Sequence, residues 1–162
     1  MMAVFFDISE VLQFAITIEE NGESFYRKVA ANVPEKEMKD LFTFLADEEV
    51  KHKKIFTEMV SKITKYEPPE TYTGEYFQYL KAYAENIVFP PEIERELDTK
   101  GGIVKALDFG IRRELDSIMY YIETKNVVPE TQHQIMDSII EEERNHFIRL
   151  SIMKEKIMKG GN

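Results

Sequence analysis

Apolar residues recur at helical spacing in four long stretches, roughly Ile8 to Asn32, Pro34 to Lys65, Gly102 to Lys125 and Pro129 to Lys159. The first two are separated by Asn32-Val33-Pro34-Glu35 and the last two by Asn126-Val127-Val128-Pro129-Glu130. Each junction places a proline where a helix begins without losing a hydrogen bond, then a glutamate in the first turn. The pattern predicts two tight helical hairpins. Between them, Tyr66 to Gly101 forms a crossover bounded by Pro68-Pro69 and Gly101-Gly102 and broken by Pro90-Pro91. Within it Glu75 to Asn86 reads as a short helix, with Phe77, Leu80, Tyr83 and Ala84 spaced to pack. Its tyrosines, Tyr72, Tyr76, Tyr79 and Tyr83, are expected to cover the bundle or a subunit contact. Lys156, Lys159, Gly160 and Gly161 have the composition of a helix C-terminus.

The hairpins repeat one another. Leu12, Phe14, Ile16, Glu19 and Tyr26 recur 95 positions later as Leu107, Phe109, Ile111, Glu114 and Tyr121; Glu49 and His52 recur 94 later as Glu143 and His146. A repeated helical hairpin implies an approximately two-fold bundle, so the crossover has to run its length. Expected is one all-α domain over residues 1–162, a four-helix bundle of two hairpins with a long crossover at about 66–101.

Glutamate is abundant, so the apolar stripes must select the inward ones. On the second helix the stripe is Phe42, Leu45, Glu49, His52, Phe56, Met59, Ile63, and on the fourth Met136, Ile139, Glu143, His146, Leu150, Met153, Ile157. An acid and an imidazole interrupt both at the same two places, three residues apart on one helix face. The first helix contributes Leu12, Ala15, Glu19, Gly22, Tyr26 and Val29, and the third Ile103, Leu107, Gly110, Glu114, Ser117 and Tyr121. Glu20 and Glu142 fall on solvated faces outside the site, and His133 in an exposed first turn. Four buried carboxylates need compensating charge, and no lysine or arginine occupies these stripes near the acidic level. Two divalent cations would supply it, each with one neutral imidazole; the metal-free alternative is a buried Glu and His hydrogen-bond cluster. Tyr26 and Tyr121, two turns beyond Glu19 and Glu114, serve either as packing or as donors to those carboxylates.

Composition narrows the partners. With 21 basic against 30 acidic residues the chain carries a formal charge of -9, which argues against nucleic acid or an anionic membrane as its target. Cysteine is absent, removing disulfides, thiolate metal sites and thiol nucleophiles. The Met1 to Asp7 segment lacks a basic region and a long apolar run, and no stretch is long enough to span a bilayer, so a soluble cytoplasmic protein is expected.

At these residues the chain resembles the rubrerythrin-type members of the ferritin-like di-iron carboxylate proteins. The likeness runs through Ala15-Ile16-x-x-Glu19 with Phe25-Tyr26, Glu48-Glu49-x-x-His52, Gly110-Ile111-x-x-Glu114 with Tyr120-Tyr121, and Glu142-Glu143-x-x-His146. The resemblance implies two bound metals, iron first, with manganese and zinc as alternatives. It implies Glu49 and Glu143 as bridges, Glu19 and Glu114 as terminal ligands, and one metal each for His52 and His146. It also implies reduction of hydrogen peroxide or oxygen, and a homodimer is expected. Two features depart from the family. The cysteine-ligated rubredoxin domain has no counterpart in a chain without cysteine, so electrons are expected from a separate donor such as a rubredoxin-like or flavin protein. The extra carboxylate that rubrerythrins carry three residues after the third-helix ligand is Ser117 here. Iron oxidation and handling in the manner of ferritins, and a non-catalytic helical protein with a structural metal pair, are the alternatives.

Overall fold

A computed structural model describes residues 7–63, 74–86 and 97–160. Among the described residues are five α-helices and no strand: α1 (Ile8–Asn32), α2 (Lys36–Lys62), α3 (Gly74–Glu85), α4 (Lys100–Lys125) and α5 (His133–Lys159). The extension of the second helix to Lys65, both proline pairs, Tyr72 and Gly161 lie outside the described residues.

Local chemistry sets the helix ends. Asp7 and Glu10 form a reciprocal capping box at the start of α1, which satisfies two amides left open by the first turn. Thr99 caps α4 by accepting from the Gly102 amide at 3.0 Å. That cap draws Gly101 and Gly102 into the first turn, so α4 begins two residues before the start expected from the glycine pair. Pro129 opens a short 3-10 turn, Glu130–Gln132, before α5 begins at His133.

α1 pairs with α2 and α4 with α5, and the two hairpins close on each other through α1 against α4 and α2 against α5. At one end Phe56 and Met59 of α2 and Ile63 just after it pack with Ile8 and Val11 of α1 and with Val127 beyond α4. At the other, Leu97 packs with Val29 and Val33 near the end of α1 and with Ile103 and Leu107 early in α4. The chain therefore leaves α2 at one end and enters α4 at the opposite end. This is the long crossover that the repeat requires, and the fold is an all-α, ferritin-like bundle.

α3 lies along α1 and α4, burying Phe77, Leu80 and Ala84. Its tyrosines are mainly bundle cover. The Tyr76 hydroxyl donates to the Glu123 carbonyl at 3.0 Å and Tyr83 to the Asp116 carbonyl at 3.1 Å, and Tyr83 stacks on Tyr120. Tyr79 remains 45% exposed. No helix among the described residues is long and apolar enough to cross a membrane.

Candidate metal centre

The inward stripes arrive at one level of the bundle. Glu19, Glu49, His52, Glu114, Glu143 and His146 are all buried, none more than 3% exposed. They fall into two overlapping groups, Glu19, Glu49, His52, Glu143 and Glu49, Glu114, Glu143, His146. Within each group every residue offers a ligand atom lying within 4.8 Å of the others. Glu49 and Glu143 belong to both. The imidazoles of His52 and His146 face each other near parallel, with centroids 5.8 Å apart and planes at 24°.

The donor set fits a pair of cations. Glu19 Oε2, His52 Nδ1 and Glu143 Oε1 are buried with no hydrogen-bond partner, a costly condition for polar atoms unless something else coordinates them. His52 Nδ1 and Glu143 Oε1 approach to 2.9 Å without hydrogen-bond geometry, as two donors to a shared cation would. Carboxylate oxygens and imidazole nitrogens suit iron, manganese or zinc.

Both tyrosines left open between packing and donation are donors, each crossing to the opposite hairpin. Tyr26 on α1 donates to Glu114 on α4, and Tyr121 on α4 donates to Glu19 on α1. Burial first, then the neighbouring carboxylate charge, raises both phenol pKa values, so the hydroxyls keep their protons.

Three expectations need correction. Glu142 is solvated, its side chain 48% exposed, yet its Oε2 lies 2.7 Å from His52 Nε2. It therefore touches the site from outside, holding the ring so that Nδ1 faces the carboxylates. His133 is half-buried, with Nε2 3.1 Å from the Val128 carbonyl, because the 3-10 turn folds it back on the preceding loop. The third correction concerns charge. Arg113, one residue before Glu114 and off the stripe, is only 4% exposed. It donates to the Ile18 carbonyl, and a Cβ on Gly22 would crowd it, lying 2.9 Å from Nη2 and 3.1 Å from the Glu49 carboxyl carbon. Desolvation opposes its charge, but Glu49 leads the surrounding acids in raising its pKa. A long side chain reaches a level that its own position does not face. The repeat held the signal, since the equivalent of Arg113 in the first hairpin is Ile18.

The site opens to one side. A pocket of about 390 Å³ between α2 and α5 is lined by Phe44, Glu48, Glu142, His146 and Arg149 among others, with the Arg149 guanidinium 4.5 Å from the Phe44 ring centroid.

Without metal the cluster holds protons. Burial, then the charges of Glu19 and Glu143, pushes Glu49 well above the usual carboxylate range. Burial and Glu143 do the same to Glu114. Burial would also raise Glu19, but its close neighbours Glu49 and His52 outweigh it and lower that pKa. His52 is pulled down by burial and more strongly up by Glu143 and Glu19, to about 12, whereas desolvation leaves His146 lowered. Ligands must shed these protons, so loading divalent cations at neutral pH should release about two to three protons per chain, and affinity should fall as pH falls. Calorimetry in buffers of different ionisation enthalpy reads this directly. Proton-neutral uptake would mean that the acids are already ionised in the metal-free protein.

Comparison with known proteins agrees with this geometry. The sequence model of the Rubrerythrin family matches residues 10–154. The chain belongs to the rubrerythrin family. A crystal structure from Thermotoga maritima, described as a ferritin-like diiron-carboxylate protein, is 31% identical. That match covers 91% of this chain and 94% of the other, with a TM-score of 0.71. A hypothetical protein from Pyrococcus furiosus shares the fold at 21% identity and TM-score 0.73, covering 95% and 92% of the two chains. No curated protein matches the chain significantly. The family and the buried carboxylate and imidazole cluster together fit a di-iron site.

Proposed function

We propose that this rubrerythrin-family protein is a di-iron oxidoreductase that reduces hydrogen peroxide, or oxygen, with electrons from an external carrier. The observation that carries this reading is the pair of overlapping clusters sharing Glu49 and Glu143, so that two cations would be held side by side by common carboxylates. A bound iron pair supplies two electrons, one from each ion, which is what cleavage of an O–O bond consumes.

The chain's own residues prepare the site for that chemistry. Glu19 and Glu114 cap its two sides, each held by a tyrosine from the opposite hairpin. Phe56 against Tyr121 and Phe42 against Tyr26 close the core above and below and exclude bulk water. Glu142 fixes the His52 ring. The pocket beside His146 offers a small oxidant a route from solvent. Converting peroxide to two waters consumes two protons as well as two electrons. The chain holds no thiol to store the electrons, so a rubredoxin-like or flavin protein is the class of donor that fits.

Iron-loaded protein, reduced without air, should be oxidised by about one peroxide per two irons and then stop. Turnover should resume when a rubredoxin-like or flavin donor is added. Faster oxidation by oxygen with continued uptake of Fe(II) would replace this reading with iron storage, and inertness toward both oxidants would leave a structural metal pair.

A further inference from the structure

Tyr121, Tyr120, Tyr83 and Tyr79 stand in line between the candidate metal centre and solvent. The Tyr121 hydroxyl donates to Glu19. Its ring meets Tyr120 with centroids 6.1 Å apart, and Tyr120 stacks on Tyr83 of α3 at 6.1 Å with planes 5° apart. Tyr83 in turn meets Tyr79 at 6.3 Å. Tyr120 and Tyr121 are fully buried, Tyr83 is half-buried and Tyr79 is 45% exposed, so the series runs from the core to the surface.

Packing alone does not ask for phenols here, and the two-fold repeat supplies the comparison. In the first hairpin the positions of Tyr120 and Tyr121 are held by Phe25 and Tyr26. Tyr26 donates to Glu114 as Tyr121 donates to Glu19, but its ring meets Phe25 and Phe42, and Phe25 meets Phe109. Phenylalanine packs as well as tyrosine but has no O–H to lose, so it is far harder to oxidise. One of the two carboxylate-bound tyrosines therefore leads into phenylalanine and the other into more tyrosine. The crossover lengthens the second path, since α3 contributes Tyr83 and Tyr79.

We infer that Tyr121, Tyr120, Tyr83 and Tyr79 carry a one-electron oxidising equivalent from the metal centre to the surface of α3. The inference rests on the di-iron oxidoreductase reading above and adds the case in which the metal pair holds one electron where O–O cleavage needs two. The missing electron then comes from the tyrosines. One peroxide, one Fe(II), one Tyr79 phenol and one proton from solvent give two waters, one Fe(III) and a neutral phenoxyl radical on Tyr79. Within the route Tyr83 can lend its proton to Asp116, whose Oδ1 lies 3.5 Å from the hydroxyl. Tyr120 donates to the Val11 carbonyl, which is too weak a base to take a proton, so it serves as the stacked ring between its neighbours. At the exposed end a small reductant that gives one electron and one proton, of the class of ascorbate, restores the Tyr79 phenol.

Iron-loaded protein reduced by one electron per iron pair, mixed with peroxide and a nitroso spin trap, should carry the trap on Tyr79, located by mass spectrometry of its peptides. Samples frozen without the trap should show a tyrosyl radical by electron paramagnetic resonance. The fully reduced protein, with both electrons at hand, should form far less of either. Tyr83→Phe should lose the Tyr79 adduct while an interior radical remains, and Tyr83→Trp, which restores an oxidisable ring, should regain it. Both variants should keep two irons. A Tyr79 adduct as strong in Tyr83→Phe as in the parent would come from oxidant in solution and overturns the route. Equal loss in Tyr83→Phe and Tyr83→Trp reduces Tyr83 to a packing residue and overturns it too. Absence of any radical in unaltered protein that binds two irons and consumes peroxide overturns the inference and leaves the di-iron reading intact. Unaltered protein that takes up no iron, or whose fully reduced form does not react with peroxide, overturns both.

Discussion

Glu49→Ala and Glu143→Ala should each abolish stoichiometric binding of two divalent cations. These two carboxylates are the members common to both clusters, so removing either takes a ligand from both positions at once. Loss of Glu19 or Glu114 touches one position only and should leave one cation bound. The effect should also appear in stability. A site saturated about a thousandfold above its Kd adds about 4.1 kcal/mol to the folded state, so the parent protein should melt at clearly higher temperature with metal and the two variants should not respond. Without metal the alanine variants should lose little, because each removes one acid from a cluster of four buried carboxyl groups crowded together. Glu20→Ala is the neutral control, since that side chain is exposed and paired with Lys53 at 2.8 Å. Glu142→Ala is not neutral, because it releases the outer nitrogen of His52, and should weaken one cation. Titration with Mn(II) or Zn(II), with metal counted after desalting, decides the matter. Two tightly bound ions in Glu49→Ala would show that the shared carboxylates are not shared ligands.

Tyr26→Phe and Tyr121→Phe should each weaken metal binding by about tenfold or more, and the double variant by more than either. Each change removes only the hydroxyl that donates to Glu114 or Glu19 and leaves the ring packed on Phe42 or Phe56. A hydrogen bond to a charged acceptor contributes about 1.5 to 3 kcal/mol, and here it also fixes which way the carboxylate points. Tyr120→Phe separates this from packing, since the Tyr120 hydroxyl donates at 2.9 Å to the Val11 carbonyl, away from the acids. It should lower stability by about 1 kcal/mol and leave metal affinity unchanged. If all three variants lose stability alike with no change in metal affinity, Tyr26 and Tyr121 are packing posts.

Much of this was legible along the chain because helical periodicity is local. The limits of α1 and the inward register of all four long helices follow from the spacing of apolar residues, since a helix commits every third or fourth side chain to one face. The meeting of Glu19, Glu49, His52, Glu114, Glu143 and His146 was legible for the same reason, reinforced by the repeat, which sets two hairpins at equivalent levels. What spacing cannot express is reach across helices. Arg113 stands off the inward stripe of α4 and still places its charge beside Glu49, because a long side chain can thread a gap left by a glycine on α1. Glu142 faces solvent by its register and still touches His52, because α2 and α5 lie close enough for a surface acid to meet the back of a buried ring. The tyrosine donors depend on α1 and α4 running antiparallel at contact distance, so that each hydroxyl meets the other hairpin's acid. The sequence by itself thus determined which residues face inward and at what level. Only the tertiary structure decided the charge balance and the partners beyond the stripes, because Coulomb interactions and hydrogen bonds act through space between helices and leave no period along the chain.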